Sequence, residues 1–127
     1  IWNSNGSIVP KWRRMIEAGA TSVPCTSPDA TRFYMTIDEA VTLVLNTIDQ
    51  MEGGELVVPS LPAYRVGDLA TAMGVEVRVT GLPRFEKLHE SMVDDEPSDQ
   101  APRMSVSDLR EALARIGFRP RFREAAE

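Results

Sequence analysis

The 127-residue chain has one cysteine and one histidine. A lone thiol forms no internal disulfide, which excludes a small secreted scaffold stapled by disulfides. One Cys and one His cannot build a Cys/His zinc cage either. No apolar run approaches the roughly 18–20 residues that a helix needs to cross a bilayer. Lys and Arg are outnumbered by Asp and Glu, 14 to 19, and the net charge of −5 argues against broad nucleic-acid binding. Also missing is any G-x-G-x-x-G or G-x-x-G-x-x-G between a strand and a helix. Neither Tyr34 nor Tyr64 is followed four residues later by Lys, so a Tyr-x-x-x-Lys pair is absent. A complete nicotinamide-dependent active site is therefore not encoded in this chain. The initiator Met is absent as well, and Ile1-Trp2-Asn3-Ser4 lacks the basic and apolar regions of a signal peptide. The expectation is a segment of a longer or processed protein, located in the cytoplasm.

What is present is globular material, 43% hydrophobic and 26% charged, enough for one domain or part of one. Val9-Pro10-Lys11-Trp12 predicts a helix with Pro10 in its first position, an apolar face of Trp12, Met15 and Ile16, and a stop at Gly19. A short strand and a Ser27-Pro28-Asp29 turn follow, then the strand formers Arg32-Phe33-Tyr34-Met35. Thr36 and Glu39 form a capping box that opens the strongest helix, with Ile37, Ala40, Val41, Val44, Leu45, Ile48 and Met51 at helical spacing. Residues 55–58 predict a buried strand. Val66–Met73 predicts a helix stopped by Gly74, and Val75, Val77 and Val79 alternate as in a half-buried strand. Glu86–Ser91 predicts one helical turn, and Asp94–Pro102 an exposed acidic loop. Ser105 and Asp108 open a last helix that Gly117 stops, followed by a basic, mobile tail at 118–127. The class is mixed α/β, about four helices with four short strands. The helix at 37–51 and the strand at 55–58 look built to pack on something larger.

No catalytic set stands out. Ser7, His89 and an Asp could be combined into a triad only on paper, because no G-x-S-x-G elbow presents the serine. Cys25 reads as a small buried hydrophobe rather than a nucleophile. The polar loop Asn3–Ser7, just before a helix, can hold a phosphate or simply cap the helix. Arg32 and Arg84 come from separate segments. Two such guanidinium forks can clamp a pyrophosphate, and each alone reads as a surface ion-pair partner.

Four stretches in order resemble the C-terminal part of extended short-chain dehydrogenases/reductases, in the branch of capsular-polysaccharide-type UDP-N-acetylglucosamine 4,6-dehydratases and epimerases. Ser4-Asn5-Gly6-Ser7-Ile8-Val9-Pro10 is similar to S-x-G-S-V-x-P, and Thr31-Arg32-Phe33-Tyr34-Met35-Thr36 to T-R-F-x-[MI]-T. Gly53-Gly54-Glu55-Leu56-Val57-Val58-Pro59 with Asp68-Leu69-Ala70 resembles G-G-E-[IL]-[FV]-V-P…D-L-A. Gly81-Leu82 with Glu86-Lys87-Leu88-His89-Glu90 resembles G-[LI]-R-P-G-E-K-L-H-E. The resemblance covers about residues 1–117.

It implies a division of labour. A Rossmann part holds NAD(P) and the catalytic Tyr/Lys pair, while the present lobe (residues 1–117) holds the UDP-sugar and contributes no catalytic residue or cofactor contact. The intact reaction would oxidise C4, lose water across C5–C6 and reduce C6. A 4-epimerase would use the same lobe. By resemblance, Gly6, Ser7 and Pro10 border the substrate, Val23 and Cys25 lie along the base, Arg32 binds pyrophosphate and Val66 packs near the uridine. Glu86 and Lys87 belong to the last signature. Its phosphate-binding Arg falls at Pro83, with Arg84 one place on and Phe85 where the family has Gly. If that Gly needs positive φ, Phe85 is strained by about 1–2 kcal/mol. The implied partners are a UDP-sugar and a Rossmann half, in the same or a separate chain. As a non-catalytic orphan module, the chain could instead self-associate through residues 37–58.

Overall fold

The computed structural model describes residues 1–5, 7–50, 60–91 and 97–120. Four α-helices and four short strands alternate among them: α1 (Ile8–Glu17), β1 (Ser22–Cys25), β2 (Thr31–Phe33), α2 (Ile37–Gln50), β3 (Ala63–Arg65), α3 (Val66–Met73), β4 (Glu76–Val79) and α4 (Val106–Arg115). The class is mixed α/β. The expected strand at 55–58 lies outside the described residues. So do Gly6 and most of the expected basic tail.

The centre is α3. Val66, Leu69, Ala70, Ala72 and Met73 are all buried, as befits a helix that is apolar nearly all round. Gly74 closes it in the left-handed conformation, φ 79°. α4 packs against it through the fully buried Leu109 and Leu113. Ser105 accepts from the Asp108 amide and Asp108 accepts from the Ser105 amide, a reciprocal cap that satisfies two end donors. α1 adds Val9 and Trp12, and Trp12 Nε1 donates to the Pro24 carbonyl of β1 at 3.0 Å. α1 starts at Ile8, two residues earlier than expected. Pro10 thus sits in its first turn, where amides have no intrahelical acceptor and the missing N–H is harmless.

The sheets are minimal. β1 pairs parallel with β4, Val23 opposite Val77, and β2 pairs antiparallel with β3, Arg32 opposite Tyr64. Val75 and Val77 pack on the core as the alternation predicts, but Val79 is 63% exposed. Among the described residues β4 is paired only with β1, and the apolar cover ends before Val79.

Three further expectations change. Glu86–Ser91 forms no helical turn, because its backbone serves β2 instead: Thr31 N donates to Leu88 O at 2.9 Å and Thr31 bridges His89. Within the expected acidic loop, Ser98–Gln100 is a 3₁₀ turn whose first residue is wholly buried. Phe118 folds back into the core through a Phe118 N–Leu113 O bond, so packing continues past Gly117.

The Thr36–Glu39 box on α2 is present, with Glu39 N donating to Thr36 Oγ1 at 3.1 Å. The helix beyond it is apolar and bare. Ile37, Val41, Val44, Leu45 and Ile48 are each 49–65% exposed.

Leu109→Ala removes a side chain held between α3 and α4 and is expected to cost about 2–5 kcal/mol. Denaturant unfolding followed by circular dichroism checks it, and a loss below 1 kcal/mol would contradict this account of the core.

Candidate functional site

An open cavity of about 290 Å³ lies where the N-terminal loop, the end of β1, β2, the start of α3 and residues 86–90 converge. Trp2, Phe33 and Tyr64 are among its lining residues. Trp2 contacts Tyr34 and Tyr64, with ring centroids 5.2 and 5.6 Å away. The second contact is edge-on, a favoured geometry for ring quadrupoles. Trp2 N donates to Met35 O, which ties the loop to the end of β2. Asn3 stands at φ 60°, a left-handed position that Asn tolerates better than most residues. Trp2 Nε1 is buried without a hydrogen-bond partner among the described residues.

Arg32 forms one wall. Its Nη1 donates to Thr31 O at 2.7 Å and Leu88 O at 2.9 Å, and its Nη2 to Lys87 O at 2.7 Å. Glu86 Oε1 lies 3.5 Å from Nη2. Three carbonyls thus fix the guanidinium, leaving Nε and the Nη2 hydrogen beside Glu86 as further donors. Glu90 lines the same wall and accepts from Phe33 N through Oε1 at 2.9 Å. Burial, reinforced by the nearby Glu90, pushes the Tyr64 phenol up to about 12, and Arg32 pulls the other way.

Of the residues singled out from sequence, Ser7, Arg32, Val66 and Glu86 line this cavity together. Ser7 does not cap α1: its hydroxyl donates to Ser4 O. Pro10 lies in α1, outside the lining. The Val23 and Cys25 side chains are buried in the core, and burial pushes the Cys25 thiol up. Arg84 and Lys87 are exposed on the loop that begins with the turn closed by Glu86 N and Pro83 O, and the Lys87 carbonyl is what holds Arg32. Phe85 is 90% exposed and does not have positive φ, so the conditional strain is not present. Trp2 and Tyr64 had no sequence signal as cavity residues, and Glu90 stood in the last signature without being singled out. They converge only through long-range packing.

Among the described residues, the β3–α3 turn does not fit the phosphates of a nicotinamide dinucleotide. Such sites need a glycine-rich strand-to-helix turn that admits a pyrophosphate. β3 does run directly into α3 with Gly67 at the junction. However, a Cβ there would meet the Arg65 guanidinium at 2.6 Å and Pro28 O at 3.0 Å, so the chain itself fills that space.

Residues 1–109 match the polysaccharide biosynthesis protein family. The chain belongs to this family. It is 35% identical over 97 residues to a UDP-N-acetylglucosamine 4,6-dehydratase (inverting) of Campylobacter jejuni, covering 75% of this chain and 29% of that protein. It is 32% identical over 104 residues to a UDP-glucose 4-epimerase of Rickettsia massiliae, covering 77% and 30%. The fold superposes on the X-ray structure of Pen from Bacillus thuringiensis with TM-score 0.79 and 21% identity, over 91% of this chain and 46% of the other. This chain therefore spans less than a third of either curated relative. Family and fold agree with the resemblance drawn from the four sequence stretches. No described helix is long and apolar enough to cross a membrane.

The raised Tyr64 pKa has a consequence at alkaline pH. The unfolded phenol ionises near pH 10, whereas the folded one holds its proton to about 12. Between those values the unfolded state binds fewer protons, so stability falls as pH rises, by about 2–3 kcal/mol from this group. Thermal melts from pH 9 to 12 should show the slope, and Tyr64→Phe should flatten it. An unchanged slope in that variant would count against Tyr64 as its source.

Proposed function

We propose that this chain is the nucleotide-sugar-binding lobe of an NAD(P)-dependent sugar 4,6-dehydratase of surface-polysaccharide biosynthesis. The observation that carries it is Arg32, a guanidinium held by three carbonyls on the wall of an open cavity also lined by Ser7, Tyr64 and Val66. Such a fork suits a diphosphate. The apolar faces of Val66 and Tyr64 suit a flat base and ribose. The dehydratase relative supports the substrate class and reaction type, and a cytoplasmic location accompanies that reading. The lobe binds and orients its ligand, and proton and hydride transfer belong to the cofactor-bearing part. Orientation is itself a large contribution to rate. The Rickettsia relative supports a 4-epimerase as the second reading, since the same lobe serves either chemistry.

Bare apolar side chains on α2 support docking of the 37–58 region against a Rossmann-type part or a second copy. Val44→Glu with Ile48→Glu should leave the lobe's circular dichroism intact and reduce association in sedimentation. A wild-type chain that stays monomeric and binds no hydrophobic dye contradicts this docking role.

Arg32→Ala is expected to weaken UDP binding, measured by calorimetry, by about 1.5–3 kcal/mol, the scale of a charged hydrogen bond. Arg32→Lys keeps the charge but loses the fork and should recover only part of that loss. Equal UDP affinity in wild type and Arg32→Ala would sink the assignment.

A further inference from the structure

Ser98 comes from a stretch whose charge and prolines predict an exposed loop, yet it is wholly buried, as is Thr31 at 1% exposure. Its hydroxyl lies 2.7 Å from Thr31 Oγ1 and donates to Thr31 O at 3.1 Å. It accepts from Glu90 N at 2.8 Å, and Ser98 N donates to Glu90 O at 2.6 Å. One small side chain therefore joins β2 to the 87–90 segment. These are the two pieces of backbone that hold Arg32: Thr31 O and Leu88 O take Nη1, and Lys87 O takes Nη2. The Thr31 carbonyl is shared outright, accepting from both Ser98 and Arg32.

We infer that Ser98 is a positioning residue for Arg32, fixing where the guanidinium faces the cavity and hence how well the lobe takes a diphosphate. The inference rests on the nucleotide-binding reading above. Ser98 itself touches no ligand, because its side chain has no exposed surface. Without the hydroxyl, Glu90 N and Thr31 Oγ1 both lose a buried partner. The Thr31 N–Leu88 O bond and the Thr31 Oγ1–His89 Nδ1 contact at 2.6 Å still tie the segment to β2, but it loses the link behind them. Arg32 keeps its charge, and its carbonyl cage is less closely fixed. A two-point contact with phosphate is sensitive to shifts of about 1 Å, whereas stacking on Tyr64 or Val66 is not.

The experiment compares UDP with uridine, which lacks the diphosphate, by calorimetry on the full 127-residue chain. In Ser98→Ala, UDP affinity is expected to fall about 5–20-fold while uridine affinity changes less than about 2-fold. Ser98→Thr retains the hydroxyl and should restore UDP binding. Ser98→Cys is close to isosteric with a poorer hydrogen-bonding group, and should give an intermediate loss. It carries the test if Ser98→Ala does not fold. UDP binding unchanged in Ser98→Ala, or in Ser98→Cys should that be the variant that folds, overturns the inference. So does a parallel fall for UDP and uridine, or failure of Ser98→Thr to rescue. If the wild-type chain binds neither compound, the nucleotide-binding reading fails with it. Wild-type binding with an indifferent Ser98 removes only the positioning role.

Discussion

A strand of three residues has two edges and almost nothing to satisfy them with, and this lobe is organised around that shortage. β2 pairs with β3 on one side, but β3 is equally short. Thr31 N must turn to Leu88 O, Phe33 N to the Glu90 carboxylate and Tyr34 N to Pro62 O. Buried backbone groups left without partners would each cost about 1–3 kcal/mol. The segment from 86 to 91 therefore cannot spend its carbonyls within a helix of its own. Leu88 O is committed to Thr31 N and Glu90 O to Ser98 N, and the bend that brings them there also presents the Lys87 and Leu88 carbonyls to Arg32. The 3₁₀ turn at Ser98–Gln100 lies behind this junction and supplies the hydroxyl that joins its parts. Cavity and fold thus have a common origin.

How much of this was legible follows from the range of the interactions. Helices α1, α2, α3 and α4 could be read because caps and periodic apolar faces are local: Thr36 and Glu39, or Ser105 and Asp108, lie three residues apart. Glycine stops at 19, 74 and 117 are local too, and all three have positive φ. β3 has no such signal. Three residues between Pro62 and a helix show no period, and Ala63–Arg65 is a strand only because β2 lies beside it. Ser98 was hidden for a different reason. Its neighbours are charged and its partners, Glu90 and Thr31, lie 8 and 67 positions away, so composition pointed to solvent. Arg32 was legible as a candidate through the T-R-F resemblance, but its three carbonyl partners were not.

The uncovered face of α2 bears on how the lobe holds together. A helix with five large apolar side chains about half exposed gains little from the contacts it has here. Roughly 25 cal/mol is available for each Å² of apolar surface withdrawn from water. Covering such a face is thus worth several kcal/mol, comparable with much of the stability of a small domain. The core of α1, α3 and α4 is complete without it. The lobe therefore separates into a packed half that holds the cavity and a helix whose burial depends on another surface. On the proposed function, that surface carries the cofactor.

Charge in the cavity leads to the same division. Arg32 faces two carboxylates, Glu86 at 3.5 Å and Glu90 across the same wall. The Arg32–Glu86 pair is partly exposed, at 21% and 32%, and an ion pair of that kind contributes about 0–1 kcal/mol. On the proposed function, a diphosphate would displace Glu86 from Nη2 at little cost but would then approach both carboxylates. The field of this wall alone is a poor attractor for an anion. Its positive charge is balanced, and three carbonyl dipoles already point their negative ends at the guanidinium. What the wall supplies is direction rather than net attraction. Beyond the directed contact to Arg32, affinity on the proposed function comes from apolar contact with Tyr64 and Val66 and from whatever closes the open side. At about 290 Å³ the cavity is just below the roughly 300–1,000 Å³ usual for ligand sites. On the proposed function, a nucleotide sugar would overhang it, placing the sugar outside the lobe. That is where the reacting carbons would have to be if the lobe only holds them.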